Sequence, residues 1–342
     1  MNGNRTSSEV ALLGEDDVAA VVTPQDAMRE MRAVFESMAR QEARNFPVVR
    51  ERLRGEDSVF GVKSAYDPTR GILGLKAGGY FPLPGEGGGH RSSIVLFDAQ
   101  SGALRAVVSG NLVTRLRTAA AAALSIELLA RADARTLAVI GAGAQAEAHV
   151  RAALLVRPFS RMLVWSRTAP RAAALAARLS NLDCTVEVAS HARDAVSAAD
   201  VVITLTPSTQ PVVEDAWVRA GTHLVCMGAD TAGKQELEMS ILQRAAIYTD
   251  SPAQAISIGE CQSAARSTQG PPLTILGTLG DILIGRVHAR IANEITVYDG
   301  TGVAAQDLAM ASLVLERRPR GDIVTPAPTR AGQVQSSTGG TS

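Results

Sequence analysis

A glycine-rich turn, Gly141-Ala142-Gly143-Ala144-Gln145-Ala146, runs on directly from the apolar stretch Leu137-Ala138-Val139-Ile140. This G-x-G-x-x-A pattern, set between a predicted strand and a predicted helix, has the chemistry of a dinucleotide site. Gly141 permits the tight turn, Gly143 lets a pyrophosphate approach the backbone, and Ala146 allows close helix–strand packing. The helix N-terminus offers partial positive charge to the phosphates. A plain glycine turn is the alternative, but both flanks fit the nucleotide reading. The next predicted strand ends at Trp165-Ser166-Arg167-Thr168. An NAD site usually has Asp or Glu there for the ribose 2′-hydroxyl, and no acid is present. Ser166, Arg167 and Thr168 suit a 2′-phosphate and favour NADPH over NADH, a solvated arginine at a strand end being the other reading.

Three further charges stand in apolar surroundings. Lys76 lies within Leu73-Gly74-Leu75-Lys76-Ala77-Gly78-Gly79-Tyr80. Arg117-Thr118 follows Leu116 and enters an alanine-rich helix. Asp230 follows Val225-Cys226-Met227-Gly228-Ala229 at the C-terminal end of a predicted parallel strand, where open α/β sheets bind ligands. Charges in apolar stretches are costly unless paired. Taken singly, each reads equally well as a structural ion pair.

Two kinds of texture must position these residues. Residues 17–43 are predicted to form an amphipathic helix, with Thr23-Pro24 a start signal for its main part. Over 46–110, short β-rich pieces (Ser58 to Val62, Ile72 to Lys76, Ser93 to Phe97, Ala103 to Val108) alternate with Gly, Pro and Asp, an antiparallel signature. Pro84 to Gly89 reads as a loop. From Thr114 onward, helices over Thr114 to Arg131, Ala144 to Val156 and Ala169 to Leu179 alternate with strands. The strands are Thr136 to Gly141, Met162 to Trp165, Thr185 to Glu187, Val201 to Leu205 and His223 to Met227. That alternation predicts a doubly wound parallel sheet. A late strand, Ile295 to Tyr298, and a late helix, Ala304 to Arg317, follow. The Pro-, Ser-, Thr- and Gly-rich tail from about Pro326 is expected to be disordered. No internal repeat is evident.

The chain has 342 residues, enough for two domains at roughly 100–200 residues each. Its 34 basic and 34 acidic residues balance, and no long basic run occurs, so nucleic acid and anionic membrane are poor partners. Apolar runs fall well short of the roughly 20 residues that span a bilayer. The segment from Met1 to Glu9 lacks the apolar core of a secretory signal, so a cytoplasmic location is expected. Cys184, Cys226 and Cys261 are far apart and read as reduced thiols. The five histidines show no ligand spacing, so no metal is expected.

Taken together, Lys76, Arg117-Thr118-Ala119-Ala120, Gly141-Ala142-Gly143-Ala144-Gln145, Gly228-Ala229-Asp230, Gly233-Lys234-Gln235-Glu236-Leu237, Asp299-Gly300-Thr301-Gly302 and Gln306-Asp307 occur in an order that resembles the ornithine cyclodeaminase/mu-crystallin family. The resemblance covers about residues 15 to 320. It implies an α/β fold: a Rossmann domain over 125–306, plus an α+β substrate-binding and dimerisation domain built from both chain ends, 1–124 with 307–325. It also implies a homodimer and NAD(P)H as cofactor. Arg50, Lys76 and Arg117 would hold a substrate carboxylate, which suits cations and forked guanidinium groups. Arg52 rivals Arg50, because register across this segment is open. Asp230 would exchange the proton at the substrate nitrogen, and Thr301 would lie beside the substrate. Arg117, Thr118, Ala144, Gln145, Thr206, Met227, Gly228, Lys234 and Gly300 would line the cofactor.

Within the family, four stretches resemble the members that reduce iminosuccinate to aspartate: Asn45 to Glu51, Lys76 to Tyr80, Ser257 to Gln262 and Asp299 to Val303. Ornithine cyclodeaminase carries a glutamate on the strand before the lysine, where this chain has Gly61, and glycine cannot hold a distal ammonium. Arg50, Arg52 and Arg54 alternate along one extended segment and would share a face. A second carboxylate would find partners there, with His90 and Arg91 as further candidates, although a solvated basic edge reads equally well. The expected reaction is reduction of a small imino acid, or its reverse. The alternatives are an ammonia-eliminating cyclodeaminase and a nucleotide-binding protein without turnover.

Overall fold

The computed structural model describes residues 10–53, 58–81, 89–291, 293–318 and 323–324. They build two eight-stranded sheets. The first is largely antiparallel and runs Ile323–Val324, Val10–Leu13, Leu104–Ser109, Gly89–Asp98, Ile72–Phe81, Val59–Asp67 and Arg44–Asn45, with Val49–Arg52 also paired to Val59–Asp67. The second is parallel throughout. Its order is Thr185–Val188, Arg161–Trp165, Thr136–Ile140, Val201–Thr204, His223–Cys226, Thr296–Asp299, Ala246–Thr249 and Ile275–Thr278. The chain reverses direction across this sheet between Thr136–Ile140 and Val201–Thr204, the place where such sheets open a crevice at their carboxyl ends.

The expected helix over 17–43 is two helices, Glu15–Val21 and Pro24–Ala39. The break has a local cause. Thr23 Oγ1 accepts from the Asp26 amide at 3.2 Å, Asp26 accepts back from the Thr23 amide at 2.9 Å, and Pro24 takes the first helical position. The second helix stops short of residue 43 because Gln41 turns left-handed, with φ 61°.

The antiparallel strands are longer than their apolar pattern. Val59–Asp67 continues past Val62 with Lys63, Ala65 and Asp67 all buried on one face, so a buried lysine hides the continuing alternation. Ile72–Phe81 likewise runs on past Lys76. The last helix, Ala304–Arg317, returns to pack on the strands Val59–Asp67, Ile72–Phe81 and Gly89–Asp98 and on the helices Pro24–Ala39 and Gly110–Leu129. The loop expected over Pro84 to Gly89 falls mostly outside the described residues, and Gly89 itself opens a strand. The tail beyond Pro326 lies outside them too. Among the described residues no helix is long and apolar enough to cross a membrane.

Candidate functional site

The nucleotide turn has the geometry its glycines suggest. Gly141 stands at φ 115°, and a Cβ there would lie 2.8 Å from the Leu205 carbonyl oxygen, so only glycine fits. A Cβ on Gly143 would meet no protein atom within 4 Å, which leaves open space beside the backbone. The helix Ala146–Leu154 begins at Gln145 without a side-chain cap, and Gln145 Oε1 is buried without a partner. These features fit a pyrophosphate against the turn. Ser166, Arg167 and Thr168 sit at the end of Arg161–Trp165, with Arg167 and Thr168 exposed.

The neighbouring strand ends are tied by two acids that stand in the quoted motifs without an assigned role. Buried Glu236 accepts from Thr204 Oγ1 at 2.7 Å, from the Thr206 amide at 2.6 Å and hydroxyl at 2.8 Å, and from the Gly228 amide at 2.8 Å. Glu260 accepts in turn from the amides of Glu236 and Leu237. Burial pushes both carboxyls up, Glu260 well up, with the Glu236 charge adding to its shift. This brace fixes Thr206 and Gly228 on the rim. Met227 packs on Gly300, where a Cβ would lie 2.5 Å from its Sδ.

Beyond that rim, the carboxyl ends of the parallel strands face the antiparallel sheet, and the charges singled out in the sequence converge. Asp230 accepts from Lys234 Nζ at 2.7 Å, from Arg50 Nη2 at 3.1 Å and from Thr231 Oγ1 at 3.1 Å. Burial alone would raise its carboxyl, but Lys234, Arg50 and Lys63 outweigh that and hold it well below the usual carboxylate range. Arg50 Nε is buried with no acceptor among the described residues, an orphan donor beside the acid.

Arg50 and Arg52 share the strand Val49–Arg52, and the register places Arg50 opposite Gly61 and Arg52 opposite Val59. Arg50 reaches Asp230, whereas Arg52 is exposed; Arg54 is outside the described residues.

Lys76 and Arg117 meet on one buried carboxylate. Lys76 Nζ lies 2.9 Å from Asp307 and 3.2 Å from Thr114 Oγ1, and Arg117 Nε lies 3.0 Å from Asp307. Arg117 also donates to Gln306 Oε1 at 3.3 Å. Burial lowers the Lys76 ammonium to about 8, against the pull of Asp307. Asp307 stands on the last helix of the chain, so its role as anchor depends on that helix returning to the first sheet.

Two expected neighbours have other partners. The Thr301 hydroxyl donates to Asp250 at 2.9 Å rather than standing free for a substrate, and the Thr118 hydroxyl donates to the Thr114 carbonyl. Lys234 is turned to Asp230 and to the Gly228 carbonyl, at 3.3 Å. Its loop is pinned by Gln262, which accepts from the Gly233 amide at 2.7 Å and donates to the Lys234 carbonyl at 2.9 Å. Lys63, unread in the sequence, is directly opposite Lys76 across the strand pair. His90 and Arg91 line a cavity of about 500 Å³ with Phe60, Gly78, Phe81 and Asn111, where burial, then the Lys76 charge, lower the His90 imidazolium to about 4.

Residues 9–322 match the ornithine cyclodeaminase/mu-crystallin family. The chain is 41% identical to an iminosuccinate reductase of Paracoccus denitrificans over 89% of its own length and 95% of that protein. The crystal structure of that reductase in complex with NAD+ superimposes with a TM-score of 0.80 at 40% identity, covering 90% of this chain and 96% of the other. An archaeal alanine dehydrogenase dimer with bound NAD gives a TM-score of 0.83 at 29% identity, covering 90% and 96%. A Delta(1)-pyrroline-2-carboxylate reductase of Paracoccus denitrificans is 36% identical over 66% of this chain and 72% of that protein.

Proposed function

The chain belongs to the ornithine cyclodeaminase/mu-crystallin family, and from that premise we propose that it reduces a small imino acid to an amino acid with a nicotinamide cofactor, a four-carbon imino dicarboxylate being preferred. The carrying observation is the ionised Asp230 beside Arg50 and Lys234 at a strand end, facing the Lys76–Arg117 pair. A bound nicotinamide would supply the hydride, or take it in the reverse reaction. Arg50, Lys76 and Arg117 orient the substrate carboxylate, and positioning of this kind supplies much of the rate. Asp230, an anion in the free protein, accepts the N–H of a protonated imine and steadies its positive charge. Hydride addition leaves a neutral amine, and its ammonium proton comes from solvent, relayed through Asp230 once the substrate carboxylate has drawn Arg50 away. In reverse, the same oxygen takes the proton from the substrate ammonium.

The substrate-binding part comes from residues 1–124 with 307–325 and the nucleotide part from 125–306. A homodimer through the antiparallel sheet is supported by its outer face: register puts Leu12, Val49, Phe60 and Tyr66 on one side, all exposed, opposite the side covered by the helix Ala304–Arg317.

Gly61, opposite Arg50, offers no acid for a distal ammonium, which speaks against ornithine cyclisation. Oxaloacetate with ammonia should therefore be reduced with a kcat/KM about one to two decades above that of pyruvate with ammonia, the size of one added charge-assisted contact. NADH or NADPH absorbance is the readout. Equal values for the two keto acids would remove the dicarboxylate preference. Proline formed from ornithine with NAD+ alone would restore the cyclodeaminase, and no turnover with any imine would leave a binding protein.

For the cofactor, the solved iminosuccinate reductase and alanine dehydrogenase hold NAD, while Arg167 with Ser166 and Thr168 at an acid-free strand end supports NADPH here. Arg167→Asp is expected to lower the NADPH-to-NADH ratio of kcat/KM by about tenfold or more. An unmoved ratio would show that Arg167 does not read the 2′-phosphate.

A further inference from the structure

Lys63 is 8% exposed, and its ammonium donates to two carbonyls of the loop after Thr296–Asp299: Thr301 at 2.9 Å and Gly302 at 2.7 Å. An ammonium has three N–H groups, so one remains. Among the described residues no carboxylate reaches Lys63 at ion-pair distance. The contrast with its neighbours is sharp. Lys76 and Arg117 share Asp307, and Arg50 and Lys234 share Asp230. The remaining acid of the cluster, Asp250, is held by the Thr301 hydroxyl and the Gly302 amide. Gly302 also lies against Arg117: a Cβ there would be 2.3 Å from its Nη1, so this loop packs between the two cations.

Five cations, Arg50, Lys63, Lys76, Arg117 and Lys234, thus surround three carboxylates, Asp230, Asp250 and Asp307. Among these eight groups the cations outnumber the carboxylates by two, in a largely buried site. Unmatched buried charge is expensive, and the free protein relieves part of it by letting a lysine lose its proton. Lys63 is the group under most strain. Burial first, then Lys76 and Arg117, lower its ammonium to about 7, with Arg50 adding and Asp230 opposing, and Asp250 and Asp307 feel its charge from farther off than ion-pair distance. A monocarboxylate brings one negative charge and leaves the imbalance half corrected. A dicarboxylate corrects it.

We propose that Lys63 is a specificity-determining residue: its ammonium is the counter-charge for the second carboxylate of a four-carbon dicarboxylate whose first carboxylate goes to Arg50, Lys76 and Arg117. This assignment rests on the reductase reading above but not on turnover, because recognition of two carboxylates is measurable with inert ligands.

The test is calorimetric titration of the full chain, saturated with NADH, with succinate and with butyrate, which have the same number of carbons. The wild type is expected to bind succinate at least about tenfold tighter, in line with a charge-assisted contact. Lys63→Gln, whose amide still donates to the loop carbonyls, should bring the two affinities together, and Lys63→Arg should keep most of the preference. At pH 8, above the lowered value, succinate binding should also take up more protons than butyrate binding, because the second carboxylate recharges Lys63. That excess is read from buffers of different ionisation enthalpy and needs no variant. No preference in the wild type, a preference that survives Lys63→Gln, or equal proton uptake for both ligands would each overturn the proposal. Failure of the reductase reading shows differently, as absence of nicotinamide oxidation with every imine while the ligand preference stands.

Discussion

Asp230→Asn is expected to lower turnover at least about 10²-fold while nicotinamide binding stays near the wild-type value. The acid stands just past His223–Cys226, within reach of Arg50, Lys234 and Thr231, and the nucleotide turn lies on a different strand end. Asparagine keeps the shape and removes the charge that would steady a protonated imine. Steady-state kinetics with oxaloacetate and ammonia, together with fluorescence titration of the cofactor, separate the two effects. Near-normal turnover would take Asp230 out of the chemistry. The pH behaviour sharpens the expectation. The Asp230 carboxyl is held below its usual range, so the stability it contributes is present above the unfolded value of about 4 and fades only as pH falls through the still lower folded value. Between pH 5 and 8 it stays ionised in the free protein, and an acidic limb of kcat/KM in that window belongs to another group.

Asp307→Asn should be the most destabilising single change in the site, by about 3–5 kcal/mol, the usual result of removing one partner from a buried ion pair. Asp307 is fully buried and is the shared counter-charge of Lys76 and Arg117. Burial would raise its carboxyl, yet those two cations hold it below the ordinary range, so it is charged in the folded protein. Its loss strands two buried cations that no other carboxylate touches among the described residues. Denaturant midpoints with an unchanged slope would measure the effect. A loss under about 1 kcal/mol would mean that water or a rearranged Asp250 replaces the pair. Any folded variant should also show a higher KM, because Lys76 and Arg117 would no longer be fixed in place.

The sequence made Lys76, Arg117 and Asp230 visible for one physical reason: each charge stands in a run that burial would otherwise keep apolar. Lys63 has the same character but was hidden, because the apolar alternation ends at Val62 and a lysine there reads as a strand end. The parallel sheet was legible from its continuous apolar strands, whereas Ala246–Thr249 and Ile275–Thr278 were not, being separated by helices too short to leave a periodic signal. Glu260 and Gln262 act mainly on backbone amides and carbonyls, and Glu236 on two amides and two hydroxyls, whose positions no side-chain pattern reports. Asp307 was visible as part of a motif, but its partners lie 190 and 231 residues away, and only the return of the last helix reveals them.

The Arg50–Asp230 contact joins residues 180 positions apart and fastens one sheet to the other. An incoming carboxylate therefore finds Arg50 Nε open but Nη2 already shared with Asp230, and it competes with that partner for the guanidinium. The free energy of that step is a difference between two ion pairs, so the gain from the new pair is offset in part by loss of the old one. Dissolved salt screens the displaced pair and the new pair alike. Affinity for the first carboxylate should accordingly vary less with ionic strength than the number of cations around it would suggest, and small anions in the buffer become rivals for the same latch.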